Sequence, residues 1–99
     1  MEYAFVFRHV DPSDSLKDYA TGKLDKTLEK LGHNPVRVQV NFDRRGTQSL
    51  VQCQYQGGNG FSIRAAQRAG DPYEGVDLLM DKLTRQLRKK KEMTKLHRG

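Results

Sequence analysis

The strongest constraint on how this chain can fold is a stretch of strict two-residue alternation in its middle. Val36, Val38, Val40 and Phe42 alternate with Arg37, Gln39 and Asn41, which puts every apolar side chain on one face of an extended strand and leaves the other to water or a ligand. Leu50 to Gln56 repeats the pattern, with Val51, Cys53 and Tyr55 set against Gln52, Gln54 and Gln56. Asp43-Arg44-Arg45-Gly46-Thr47-Gln48 between the two reads as a hairpin loop, so the strands are antiparallel. Gly57-Gly58-Asn59-Gly60 supplies a further turn. Phe61, Ile63 and Ala65 then alternate with Ser62, Arg64 and Ala66 to complete a meander.

On both sides of the meander the period changes to that of a helix. Leu16, Ala20, Leu24, Leu28 and Leu31 recur at steps of three and four, as do Val76, Leu79, Met80, Leu83 and Leu87. Asp11-Pro12-Ser13-Asp14 opens the first helix, with Asp11 as cap, Pro12 first in the helix and Asp14 on the positive end of the dipole. Gly32 and Asn34-Pro35 stop it. Asp71-Pro72-Tyr73-Glu74 opens the second in the same way, with Asp71 as cap. Tyr73 is expected to pack as a staple on the first helix or the sheet. Tyr3 to Val10 is a β-rich run apolar enough on both faces to sit inside a sheet. The order is β-α-β-β-β-α, and an antiparallel four-stranded sheet with one polar face requires both helices on the other. The fold class is therefore α+β, a two-layer sandwich.

Length and composition fix the scale. With 99 residues, of which 35% are hydrophobic, residues 1–99 form a single domain, and the periodic apolar positions are all needed for its core. From Lys82 to Gly99 there are eight basic residues and one acid, a net charge of +7, while the other 81 residues hold ten basic and eleven acidic, a net −1. Positive charge gathered at one end is the pattern of a surface that meets a polyanion. The tail from about residue 90 to 99 is basic and expected to fray.

No catalytic constellation is visible, so the chain reads as no enzyme, with no cofactor and no small-molecule substrate. Ser13 and Ser15 are helix-start residues. Cys53 faces inward, where it behaves as a small apolar side chain. A single cysteine excludes an internal disulfide. His9, His33 and His97 are scattered, so no metal site is expected. The Gly57 to Gly60 turn lacks the following helix that a phosphate loop needs. The start MEYAFVFRHV has neither a basic leader nor a span-length apolar run, so no membrane role is expected and the location reads as cytoplasmic.

What remains is charge on helices. Lys82, Arg85 and Lys89 stand three and four residues apart on the second helix, Lys23, Lys26 and Lys30 likewise on the first. Two basic ridges on one side of the sheet are expected to flank a groove that grips phosphates. Arg88 joins them by spacing. Arg44 and Arg45 in the hairpin loop, and Arg37 and Arg64 on the polar sheet face, are secondary candidates. With no tryptophan and no aromatic pair on the sheet, contacts to phosphates and shape should outweigh base reading.

The string from Asp71 to Lys91, DPYEGVDLLMDKLTRQLRKKK, and the Leu16, Tyr19, Lys23, Leu24 pattern of the first helix resemble the family of ribosome hibernation promoting factors, ribosome-associated inhibitors and sigma-54 modulation proteins. The resemblance covers essentially the whole chain and agrees with the element order. It implies a bacterial stress factor on the small ribosomal subunit. There it would contact 16S rRNA near the decoding centre, overlap the tRNA and mRNA sites and inhibit translation. The family's RNA-facing positions correspond to Lys82, Arg85, Lys89 and Lys91, with Lys23 and Lys30; Lys26 and Arg88 are added by helical spacing alone. Gly75 stands where the family has alanine, and Arg68 where it has an acid. Ending at Gly99, the chain lacks the long forms' dimerisation domain, so pairing ribosomes would need a second factor. Two other classes fit less well. A generic double-stranded-RNA-binding module carries its basic cluster at the start of the last helix, whereas here that start is acidic. An enzyme of acylphosphatase type needs a second β-α-β crossover, for which no helical pattern exists.

Overall fold

A computed structural model describes residues 3–31, 34–58 and 62–98, with side chains through Lys90. The elements run β1 (Ala4–Arg8), α1 (Asp14–Leu31), β2 (Arg37–Arg45), β3 (Gln48–Gln56), β4 (Ser62–Ala69) and α2 (Pro72–Arg98). The strands lie side by side in chain order, and both helices cover one face of the sheet, α2 packing on β3, β4 and α1. The expected stop at Gly32, the turn residues Asn59 and Gly60, and Phe61 lie outside the described residues.

The two amphipathic periods meet in one core. Val38, Val40 and Phe42 of β2, Val51, Cys53 and Tyr55 of β3, and Ile63 and Ala65 of β4 are buried beneath Leu16, Ala20, Leu24 and Leu28 of α1 and the five expected stripe residues of α2. Leu31 is half-buried at the core's rim. Each large side chain fully removed from water here contributes roughly 1.5–3 kcal/mol, well above the surface ion pairs described below. Cys53 is buried as expected, and burial pushes its thiol up to about 12.

Four local expectations are corrected. β1 pairs parallel to β2, Phe5 beside Val40 and Phe7 beside Phe42, so the sheet is mixed rather than antiparallel. Because α1 carries the chain over one face and returns it beside β1, these two strands must run the same way. β1 is also an edge strand, not an interior one; it commits Phe5 and Phe7 to the core, and both rings stack on Phe42. The β2–β3 connection shrinks from a six-residue loop to Gly46-Thr47, with Arg45 paired to Gln48. Gly46 has φ +65° while Thr47 keeps a negative φ, the combination that lets a two-residue turn follow the twist of the strands. α1 starts at Asp14, because the Ser13 hydroxyl accepts the Leu16 amide at 3.2 Å and the Ser13 carbonyl accepts that of Lys17. Ser13, not Asp11, is thus its cap. At α2 the Asp71 carboxylate accepts the Tyr73 and Glu74 amides at 2.8 and 3.0 Å, as the sequence suggests.

Candidate nucleic-acid interface

Both helices leave the top of the molecule side by side and run in the same direction, since each follows a strand of the same sense. Their N-terminal seam is fastened by a polar cluster. The Tyr19 hydroxyl donates to Asp77 Oδ1 at 2.7 Å, and the Tyr19 and Tyr73 rings meet edge to face at 5.1 Å. Tyr73 is therefore a staple on α1. Lys23 Nζ lies 3.5 Å from the same Asp77 oxygen and 5.4 Å from the Tyr19 ring centre. Hydrogen bonding to Asp77, with its charge, raises the Tyr19 phenol above its ordinary value. Lys23 and Asp77 are both about half exposed, so their attraction is worth at most about 1 kcal/mol. It orients Lys23 along the seam.

The expected ridge on α2 divides. Lys82 is half-buried and donates to the backbone carbonyl of Ala66 at 2.8 Å. Ala66 lies on β4, whose outer edge has no partner strand, and an uncovered edge invites pairing with another chain. Lys82 covers that edge. Lys89 lies on the same flank, over a recess it shares with Gln86, Lys90 and the Ser62–Arg64 end of β4. α1 lies on the opposite flank of α2, where Asp77 meets it. The two lysine rows therefore do not border one groove between the helices.

A different grouping takes its place. Arg85 and Arg88 fall on the side of α2 away from Leu83 and Leu87, and Lys26 and Lys30 on the side of α1 away from Leu24 and Leu28. All four are exposed, as is Lys89. They form a cationic outer surface on the helical layer, concentrated in its C-terminal half. There α2 runs beyond the end of α1, reaching 27 residues, or about 40 Å. Lys91 and the basic tail lie outside the described side chains.

The opposite face of the sheet holds polar groups that sequence spacing rated low or did not single out. His9, in the left-handed region at φ 57°, places Nδ1 2.9 Å from Asp43 Oδ1. Arg45 Nε donates to Asp43 Oδ2 at 2.9 Å, and the Arg44 amide donates to Oδ1 at 2.8 Å. The His9 contact foremost, then Arg45 and the Arg44 amide, hold the Asp43 carboxyl down at about 2 against the opposing effect of burial. No sequence spacing announces this cluster, because the crossover register alone brings Arg8 beside Asp43. Arg44 and Arg45 belong to the end of β2 rather than to a loop. Among the described residues no three His, Cys, Asp or Glu side chains converge to hold a metal, and no helix is long and apolar enough to cross a membrane.

A two-layer α+β domain with cations gathered on one pole of its helical layer belongs to the class of small basic α+β domains. Comparison with known proteins sharpens this. Residues 3–95 match the family described as Sigma 54 modulation protein / S30EA ribosomal protein, and the chain belongs to that family. It is 29% identical over 98 residues to the ribosome hibernation promoting factor of Escherichia coli K12, covering 98% of this chain and all of that one. A ribosome hibernation promoting factor of Pseudomonas putida is 34% identical over 85 residues, covering 86% of this chain and 81% of that one. The Picosynechococcus ribosome hibernation promotion factor is longer: the match, at 30% identity, covers 81% of this chain and 44% of that protein. Among solved structures, a ribosomal subunit interface protein from Coxiella burnetii superposes with a TM-score of 0.79 at 26% identity, covering 93% of this chain and 99% of its own. The N-terminal domain of Thermus thermophilus Protein Y superposes at 0.77 with 19% identity, covering 90% of this chain and 98% of that domain, a likeness of fold.

Proposed function

We propose that this domain binds the small ribosomal subunit through 16S rRNA near the decoding centre, where it overlaps the tRNA and mRNA sites and holds the ribosome inactive under stress. It acts as a cytoplasmic binding factor without catalysis. The observation that carries this is the exposed set Lys26, Lys30, Arg85, Arg88 and Lys89 on the helical layer. Together, with Lys91 proposed to join them from its place in the sequence, they supply charge without the stacking aromatics that base reading needs. The names of the relatives, hibernation factors and a subunit interface protein, support the choice of ribosomal RNA among polyanions.

Contacts to about six to eight phosphates make affinity fall with a log-log salt slope of order −5. Cosedimentation with purified small subunits, large subunits and unrelated duplex RNA between low and physiological salt measures it. Charge reversal of Lys30, Arg85 and Arg88 to Glu should remove small-subunit binding and leave the circular dichroism spectrum unchanged, since all three are exposed. Salt-insensitive binding, or undiminished binding by the folded triple variant, would refute the proposal.

A further inference from the structure

The helical layer is not the protein's one cationic surface. At the outward positions of the described strands stand Arg8, Arg37, Arg45, Arg64 and Arg68. The single acid among those positions, Asp43, is already engaged by His9, Arg45 and the Arg44 amide. Two of these arginines are brought together by register. Gln39, Gln54 and Arg64 form one row across β2, β3 and β4, and Arg37, Gln56 and Ser62 the next. Arg37 and Arg64 thus flank glutamines across a cleft of about 380 Å³ on the open sheet face, with no carboxylate in its lining. Both are exposed, and neither takes an ion pair among the described residues.

The cleft does not end at the edge of the sheet. Its Ser62–Arg64 wall is shared with the recess of about 330 Å³ on the other side of β4, which Gln86, Lys89 and Lys90 complete. Because the Ala66 carbonyl points away from β3, the two-residue alternation of an antiparallel ladder turns the amides and carbonyls of Ser62 and Arg64 outward as well. Lys82 covers the edge at Ala66 and leaves this lower stretch to the recess. A path therefore leads from Arg37 across Gln39 and Gln54 to Arg64, over the β4 edge, to Lys89.

We infer that this path is a second binding surface, for the phosphodiester backbone of single-stranded RNA, which meets the cationic face of the helices only at Lys89. Guanidinium forks at Arg37 and Arg64 match phosphate oxygens two at a time. The glutamine amides between them offer both donors and acceptors to sugar hydroxyls and base edges. No aromatic ring stands at an outward position on β2, β3 or β4 among the described residues, so bases are not stacked and the surface does not select sequence. Seated on ribosomal RNA by its helices, as proposed above, the domain would hold a second strand on its far side. An acidic peptide could meet the same charge, but the spread of the path over two faces of the molecule suits a flexible strand of regularly spaced phosphates better.

The test is a double variant, Arg37→Gln/Arg64→Gln, with Arg37→Lys/Arg64→Lys as the charge-keeping control. Fluorescence anisotropy with a labelled ten-residue oligouridylate at low salt should show affinity about tenfold lower for the glutamine variant and a log-log salt slope shallower by about 1.5, two phosphate contacts at the single-strand value. The lysine variant should retain most of the binding. In amide NMR spectra of the whole chain, the oligonucleotide should shift Arg37, Gln39, Gln54 and Arg64. Equal affinity of wild type and glutamine variant, shifts confined to α1 and α2, or binding of labelled oligoglutamate by a chain that does not bind oligouridylate would each overturn the inference. Small-subunit cosedimentation separates its failure from that of the ribosomal proposal. Binding lost by the helix-face triple variant but untouched by the sheet variant, with no oligouridylate effect, removes the second surface alone. Wild type that ignores subunits yet binds oligouridylate through Arg37 and Arg64 removes the ribosomal proposal alone.

Discussion

Gly75 lies one turn into α2, where glycine costs about 1 kcal/mol of helix propensity relative to alanine, so Gly75→Ala should stabilise an isolated helix. The structure reverses that expectation. A Cβ on Gly75 would stand 2.7 Å from Val51 Cγ2 and 3.6 Å from Val51 Cβ, with Ala69 Cβ at 3.7 Å. Val51 is fully buried in β3, and its close-packed neighbours occupy the space a rotated methyl would need. Overpacking of this kind costs about 1–3 kcal/mol. Taking about 2 and subtracting the propensity gain leaves a net loss near 1 kcal/mol, or a drop of roughly 4–8 °C in Tm for a domain of this size. Thermal melts of a double-mutant cycle isolate the cause. In a Val51→Ala background the obstructing methyl is gone, so Gly75→Ala should become stabilising by about 1 kcal/mol, a coupling of about 2 kcal/mol. A higher Tm for the single Gly75→Ala variant, or effects that simply add, would show that α2 does not need to approach the sheet this closely.

Two further expectations concern titratable groups. Asp43 has its folded-state carboxyl depressed to about 2 from an ordinary value near 3.9, so the stability it contributes is complete above about pH 4 and is lost as pH falls toward 2. Asp43→Asn should therefore melt lower than wild type at pH 7 and show a flatter dependence of Tm on pH between 4 and 2; parallel curves would mean the His9 and Arg45 contacts do not persist in solution. Cys53, buried and with its thiol raised to about 12, should react with an aromatic disulfide at pH 8 only as fast as the domain opens. Stoichiometric labelling within seconds under native conditions would contradict its place in the core.

How much of this was legible in the sequence follows from the range of each interaction. The strand and helix faces were readable because periodicity is local: Val38, Val40 and Phe42 declare their face without reference to any partner, and so do Leu79, Leu83 and Leu87. Asp71 was readable as a cap because cap and amides are neighbours in the chain. Ser13 displaced Asp11 because two residues only two positions apart could each serve and only one lies at the point where α1 turns. The parallel pairing of β1, the Asp43 cluster it creates and the contact of Gly75 with Val51 were not legible, since each depends on a register or an approach distance set by distant parts of the chain. For the candidate interface, helical spacing set Lys82, Arg85 and Lys89 in one ridge of α2, whereas Lys82 and Lys89 lie on the β4 flank and Arg85 faces outward. Spacing could not show which flank α1 would occupy, so the expected groove between two ridges was misplaced.

Lys82 shows how far charge counting falls short of an interface. Its ammonium already donates to the Ala66 carbonyl, and a charge-assisted hydrogen bond of this kind is worth about 1.5–3 kcal/mol. Drawing the side chain off the β4 edge onto a phosphate would forfeit that bond and expose a strand edge. A phosphate would offer a charge-assisted bond of its own, so the exchange would gain little beyond the charge pair, worth about 1 kcal/mol at 4 Å in water, against the loss of the edge's cover. The balance keeps Lys82 on the edge while its charge still adds to the field that draws a polyanion toward Arg85 and Lys89. Loss of RNA affinity on removing Lys82 would then carry two contributions, a weaker field and a loosened β4 edge. For this reason charge reversal is better placed at Lys30, Arg85 and Arg88, whose side chains are exposed and take no ion pair among the described residues.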